Sequence, residues 1–288
     1  MSNFKVGDIV SRKSHGHDIV FKVVDIKVIK DEADNIVVQG IDYRIEADAP
    51  EDDLKLLTES ESHSIRRPVD KWSRSSLKRI KAKRDEGLLP KINLPFARST
   101  VMFNRTGKIL HLDGASDFLQ KCKDHYAQLG LNAIVLGIAE KDQPARVKEL
   151  LEQYSPDILV LTGHDGVIGG EVDYNNISNY RNSAYFVSAV QEARKYEKSL
   201  EDLVIFAGAC QSDYEAILNA GANFSSSPKR VLIHMYDPVT IAEKVAATHI
   251  DKVLLIDEVV KGISSGFDGI GGLQTRGKAR SGGPKGVY

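Results

Sequence analysis

A thiol and an imidazole occupy equivalent places in two short apolar runs. "ILVLTGH", residues 158–164, aligns without a gap on "VIFAGAC", residues 204–210: four mostly apolar residues, two small ones, then His164 or Cys210. Each run reads as a buried strand of a parallel sheet, and neighbouring strands lie about 4.8 Å apart. If the two strands are neighbours in register, both side chains leave the sheet at one edge. A cysteine attacks carbonyl carbon as its thiolate and needs a base beside it. His164 is placed to be that base. The small residues ahead of each side chain let the backbone turn and a substrate approach. Amides at the two turns, that of Cys210 and that of Asp165 or Gly166, are candidates to stabilise the oxyanion that forms. A helix starting near Ser212-Asp213 adds a favourable dipole, which Asp213 itself opposes.

The elements that must position this pair are legible around it. From residue 98, apolar runs ("TVMFN", "KILHLD", "NAIVLGIA", "DILVLTG", "LVIFAGA", "RVLIHMY") alternate with helical patterns ("ASDFLQKCKDHYAQLG", "QPARVKELLEQY", "RNSAYFVSAVQEARKYEKS", "SDYEAILNAG", "DPVTIAEKVAATH"). That alternation predicts an α/β domain over 98–288, a mostly parallel sheet with helices on both faces. Ligands bind such sheets at the carboxyl ends of the strands. Cys122 falls on the core-like stripe of the first helix and reads as structural. Residues 1–57 are rich in β-branched residues broken by turns, and predict a small SH3-like β-barrel. Such a module either docks a partner or packs on the main domain. Residues 58–97 form a basic, proline-bounded linker, with nine Lys/Arg from Arg66 to Arg84 and Pro68, Pro90 and Pro95 around them. It reads as an acidic-partner or nucleic-acid patch, as an exposed segment open to proteolysis, or as a solvated, partly helical connection.

Composition removes several classes. The 288 residues carry a net charge of −1, with 42% hydrophobic and 27% charged residues, so there is no global pull toward nucleic acid or anionic membrane. No apolar run reaches the length of a membrane span, and "MSNFKVGDIV" has no signal-peptide core. Two cysteines predict no disulfide scaffold and a reduced compartment. Scattered histidines offer no metal cluster, so neither a metal nor another cofactor is expected. The glycine-rich tail "GISSGFDGIGGLQTRGKARSGGPKGVY" lacks the Gly-Lys-Ser/Thr of a phosphate loop and reads as a flexible tail or a loop closing the cleft.

Apolar block-His-Gly followed by apolar block-Ala-Cys resembles the caspase-like layout of clan CD cysteine peptidases. There the histidine lies about 50 residues before the cysteine; here the interval is 46. One departure is Asp165, directly after the histidine where that layout has glycine. Across nearly its whole length the chain resembles the YabG family of sporulation-specific peptidases, through "FKVGDIV", "TGHDG", "NYRNSAYFV", "FAGACQS" and "GIGGLQTRGKAR". The resemblance implies a cysteine endopeptidase with His164 and Cys210 as its working pair. It implies spore coat proteins as substrates, cleavage after basic residues (arginine above all), and action in the mother cell of a sporulating bacterium, associated with the coat. Arg181 and Asn182, which follow the histidine strand, are candidates to line the cleft. An arginine pocket needs a carboxylate, for which Asp165, Asp173, Asp213, Asp237, Asp257 and Glu258 stand unranked. Such an enzyme is expected to nick its own basic segment between Arg66 and Arg84. Two other readings stay open. "GACQS" also resembles the nucleophile elbow of glutamine-amidotransferase-like hydrolases, whose histidine lies downstream, here His234 or His249. A non-enzymatic scaffold of coat assembly is the third.

Overall fold

A computed structural model describes residues 3–27, 35–87, 103–168 and 173–283. The strands β1 (Ile9–Arg12), β2 (Phe21–Lys27), β3 (Asn35–Gly40), β4 (Glu46–Pro50) and β5 (Leu54–Leu56) form one antiparallel sheet in the order β4-β3-β2-β1-β5. The β-rich run "NIVVQGIDYRIEA" breaks at Gly40. The Gly40 amide donates to the Ile45 carbonyl at 2.9 Å, closing a loop over residues 41–45. A Cβ at Gly40 would lie 2.5 Å from the Tyr43 carbonyl oxygen, so the turn needs glycine.

The basic segment is a helix, α1 (Glu59–Gly87), 29 residues long with Pro68 inside it. Thr58 and Glu61 cap its start reciprocally: the Thr58 amide donates to Glu61 Oε2 at 2.9 Å and the Glu61 amide to Thr58 Oγ1 at 3.3 Å. Arg66 forks onto Asp42 at 2.7 and 2.8 Å, and the Trp72 ring meets His234 edge-on at 5.4 Å. Much of the expected linker is therefore helix docked by its side chains. Pro90 and Pro95 lie outside the described residues.

The α/β part runs β6 (Phe103–Arg105), β7 (Ile109–Asp113), α2 (Ser116–Gln128), β8 (Ala133–Gly137), α3 (Gln143–Tyr154), β9 (Ile158–Thr162), α4 (Ser183–Tyr196), β10 (Val204–Ala207), α5 (Tyr214–Asn219), β11 (Phe224–Ser226) and α6 (Asp237–Ala247). It ends with β12 (Val253–Leu254), α7 (Ile256–Val260), α8 (Gly266–Gly269), β13 (Ile270–Gly272), β14 (Thr275–Arg276) and β15 (Arg280–Gly282). The central sheet has the order β13-β11-β10-β9-β7-β8, parallel except for β13. The chain leaves β7 first for β8 on one side and then for β9 on the other. The crevice between the ends of β7 and β9 is therefore the switch point where such sheets bind ligands.

Alternate residues of the central strands feed two cores. Ile109, Ile158, Val160, Val204 and Phe206 face one, while Leu110, Leu112, Leu159, Leu161 and Ile205 face the other. The first core continues into Val10, Phe21, Val23 and Val38 of the amino-terminal sheet. One expectation changes. "RVLIHMY" does not join the sheet; the short strand Phe224–Ser226 takes that place, and His234 instead bridges Tyr43. In the glycine-rich tail, β13 extends the sheet edge beside β11 and β15 pairs with β6.

Candidate active site

The gapless alignment of the two strands is their register. Ile158 pairs with Val204, Leu159 with Ile205, Val160 with Phe206 and Leu161 with Ala207. Three residues beyond that last pair, His164 and Cys210 follow the two strands at the carboxyl edge. The exit after β10 is tightly shaped. Gly208 has φ of +116°, and a Cβ there would stand 2.5 Å from Ser226 Oγ. Gln211, just after the cysteine, is also left-handed at φ +55°. Ser212 Oγ accepts the Ala209 amide at 2.9 Å and donates to Asp165 at 2.8 Å, so the two loops hold each other.

Both side chains are covered. Cys210 is fully buried and His164 is 3% exposed. Cys210 Sγ accepts the Ile233 amide at 3.0 Å. Burial nevertheless pushes the thiol up to about 12. Burial, then the Arg44 guanidinium, pushes His164 down to about 4. His164 Nε2 is buried with no hydrogen-bond partner, the kind of orphan that asks for an explanation. The loop amide of His164 donates to Glu140 Oε1 at 2.7 Å, and burial raises that carboxyl to about 7.

What covers the pair is the 41–45 loop. The Arg44 carbonyl oxygen accepts the amides of Cys210 at 3.1 Å and Asp165 at 3.2 Å. Two amides converging on one carbonyl oxygen beside a thiol is geometry that can stabilise an oxyanion. The Arg44 side chain, fully buried, runs down to Asp113 at the end of β7, with Nη1 to Oδ1 at 3.0 Å and Nη2 to Oδ2 at 2.9 Å. Nη2 also donates to the Met235 carbonyl at 3.1 Å and lies 3.8 Å from Cys122 Sγ. The guanidinium rests 5.1 Å from the centre of the Phe118 ring. Burial raises Asp113 and the Arg44 charge lowers it, and the net direction is down.

The other expected site residues are dispersed by role. The Gly166 amide is taken by Asp165 Oδ1 at 2.8 Å, so the Asp165 amide is the one that meets Arg44. The Asp165 carboxylate also accepts the Asn182 amide at 2.9 Å and Ser183 Oγ at 2.6 Å. Burial, against these bonds, lifts it to about 6. Asn182 Nδ2 donates to the His164 carbonyl at 2.8 Å, and Arg181 reaches Glu46 at 3.1 Å and also Asp48 on β4. Asp213 caps α5 through the Ala216 amide at 3.1 Å. Asp237 holds Ser264 and Ser265, Asp173 is exposed, and Asp257 and Glu258 are exposed on α7. Neither downstream histidine bonds to Cys210. His234 Nδ1 accepts the Tyr236 amide at 3.2 Å, and His249 pairs with Asp251 at 2.6 Å. Sequence reasoning passed over Asp113, although it ends a strand at the ligand-binding edge, and Arg44, which looked like a strand residue.

The class of protein follows from comparison with known ones: residues 5–284 match the family described as YabG peptidase U57. The chain belongs to this peptidase family. It is 36% identical, over 98% of either chain, to the sporulation-specific protease YabG of Bacillus subtilis (strain 168). Family membership sets aside the amidotransferase and scaffold readings.

Proposed function

We propose that this chain is a cysteine endopeptidase of sporulation, with Cys210 as nucleophile and His164 as general base. The observation that carries the reading is that His164 and Cys210 follow two paired strands at one sheet edge, with the Cys210 and Asp165 amides converging on the Arg44 carbonyl oxygen. In this mechanism His164 Nε2 takes the thiol proton and the thiolate adds to the substrate carbonyl carbon. The oxygen gathers negative charge against the two amides. The carbon–nitrogen bond then breaks, the leaving amine takes the proton from His164, and water hydrolyses the thioester. The layout is the caspase-like one, with the Asp165 amide serving where that layout has a glycine.

The relative's role as a sporulation-specific protease supports action in a sporulating cell. Spore coat proteins, cut after arginine or lysine in the mother cell, are the substrates of this reading. Among the described residues no helix is long and apolar enough to cross a membrane, and no group of His, Cys, Asp and Glu is arranged to hold a metal. The test is incubation of coat proteins with wild type and Cys210→Ala, followed by mapping of new termini. New ends after basic residues with wild type alone support the reading. Equal cleavage by Cys210→Ala overturns it.

A further inference from the structure

Resting on that reading, we infer that Asp113 is the carboxylate that selects arginine at the cleaved position. The loop around Arg44 occupies the cleft as an internal substrate mimic. Substrates of peptidases bind as extended strands paired to the cleft walls, and this loop does so on both sides. The Arg44 amide donates to the Ile233 carbonyl at 2.9 Å and the Met235 amide to the Asp42 carbonyl at 3.0 Å. On the other wall the Glu46 amide donates to the Asp165 carbonyl at 3.0 Å. Between these anchors the Arg44 carbonyl oxygen sits on the amides of Cys210 and Asp165, where a scissile carbonyl belongs. Arg44 is thus the residue whose side chain reports the specificity pocket.

That pocket is built for a guanidinium. Asp113 meets both terminal nitrogens, the Met235 carbonyl takes a further N–H, and Phe118 supplies an aromatic face. The fork geometry favours arginine over lysine, whose single ammonium meets only one carboxylate oxygen well. The other candidate carboxylates are committed elsewhere: Asp165 to two amides and two hydroxyls, Asp213 to a helix cap, Asp237 to two serines. A fully buried ion pair is a poor way to fasten two sheets together, because apolar residues of the same volume do so without the desolvation cost. Recognition of a charged substrate accounts for that cost. The pocket also lies at the switch point between β7 and β9, where this class of sheet binds ligands.

The experiment uses the full-length protein as wild type, Arg44→Gln, Asp113→Asn and the double variant, in which neither charge is left buried alone. Cys210 accessibility is read by iodoacetamide labelling. Specificity is read with peptides carrying arginine or its uncharged isostere citrulline at the cleaved position. Arg44→Gln is expected to label Cys210 about 10-fold faster or more than wild type, because the loop loses its anchor. Asp113→Asn and the double variant are expected to lower the arginine-to-citrulline ratio in kcat/KM about 100-fold. Unchanged labelling in Arg44→Gln overturns the mimic, and an undiminished arginine preference in both Asp113 variants overturns the pocket. Peptide cleavage that survives Cys210→Ala overturns instead the thiol reading on which both rest.

Discussion

Ser212 donates to Asp165 at 2.8 Å, and this bond couples the loop after β9 to the loop after β10. Asp165 is thereby the brace between the histidine and cysteine strands. Asp165→Ala leaves buried donors from Ser183, Ser212, Gly166 and Asn182 without an acceptor. Each such orphan costs about 1–3 kcal/mol before relaxation, so a loss of about 3–5 kcal/mol is expected in urea denaturation. Ser212→Ala, which removes one donor to Asp165 and the acceptor of the buried Ala209 amide, is expected to cost about 2 kcal/mol in the same assay.

His164→Ala is expected to lower the rate of arginyl-peptide cleavage by about 10²–10⁴-fold. His249→Ala, whose ring pairs with Asp251 at the surface, is expected to leave the rate unchanged. Initial rates under reducing conditions decide it, and the reverse order would restore a downstream histidine as base.

Gly166→Ala probes the loop from the opposite wall. A Cβ there would stand 2.0 Å from the Glu46 carbonyl oxygen, a backbone atom that has to move away. Cys210 is expected to label faster in this variant than in wild type. Peptide cleavage is expected to slow, because an extended substrate meets the same obstruction. Faster labelling together with faster cleavage would show that substrate and loop take different paths.

Self-cleavage, if the internal loop is turned over, has its site at Arg44–Ile45. The basic residues from Arg66 to Arg84 lie on a helix, and a helix has to unwind before it enters an extended cleft. Prolonged incubation of wild type is expected to yield a new amino terminus at Ile45, which terminal sequencing detects. New termini within α1 would return the cut to the basic segment.

His125 gives a pH prediction with a definite sign. Burial lowers it from 6.5 to about 4, where it stacks on Tyr236 at 4.2 Å. Between those values the unfolded chain binds a proton that the native protein does not. Stability therefore falls as pH is lowered from about 6.5 toward 4. The buried carboxyls Asp165 and Asp237, each raised to about 6, act in the opposite direction over part of that range. His125→Phe removes the histidine contribution alone. Between pH 6.5 and 4.5, wild type is expected to lose about 2 kcal/mol more stability than this variant in urea titrations.

The strand pair carrying His164 and Cys210 was legible because buried parallel strands are written as apolar runs, and their common edge follows from a gapless alignment. The helices were legible for a related reason: "QPARVKELLEQY" has its apolar residues on one face and is α3 residue for residue. Arg44 was not legible, because a five-residue loop flanked by strands has the same composition as the strands themselves. What brings it to the cysteine is contact between two sheets far apart in sequence, which no local pattern encodes. "RVLIHMY" failed for the same reason. It is apolar because it is covered by that loop and α1, and apolarity alone does not say which neighbour covers a segment.

The hairpin that presents Arg44 has a kinetic consequence. On either side of the loop, β3 and β4 are paired from Asn35–Pro50 to Gln39–Glu46, so both ends of the Arg44–Ile45 bond are clamped. Were the loop cleaved by the proposed thiol mechanism, the freed amine of Ile45 would stay beside the thioester instead of diffusing away. Religation would then compete with water, and intact and nicked chains would interconvert on the enzyme. A nicked molecule would run as two fragments under denaturing conditions and as one particle otherwise. Tethering at this short range would raise the effective concentration of the loop above that of a free peptide, and in the proposed arrangement external substrates would gain access only as often as the hairpin lifts from the cleft.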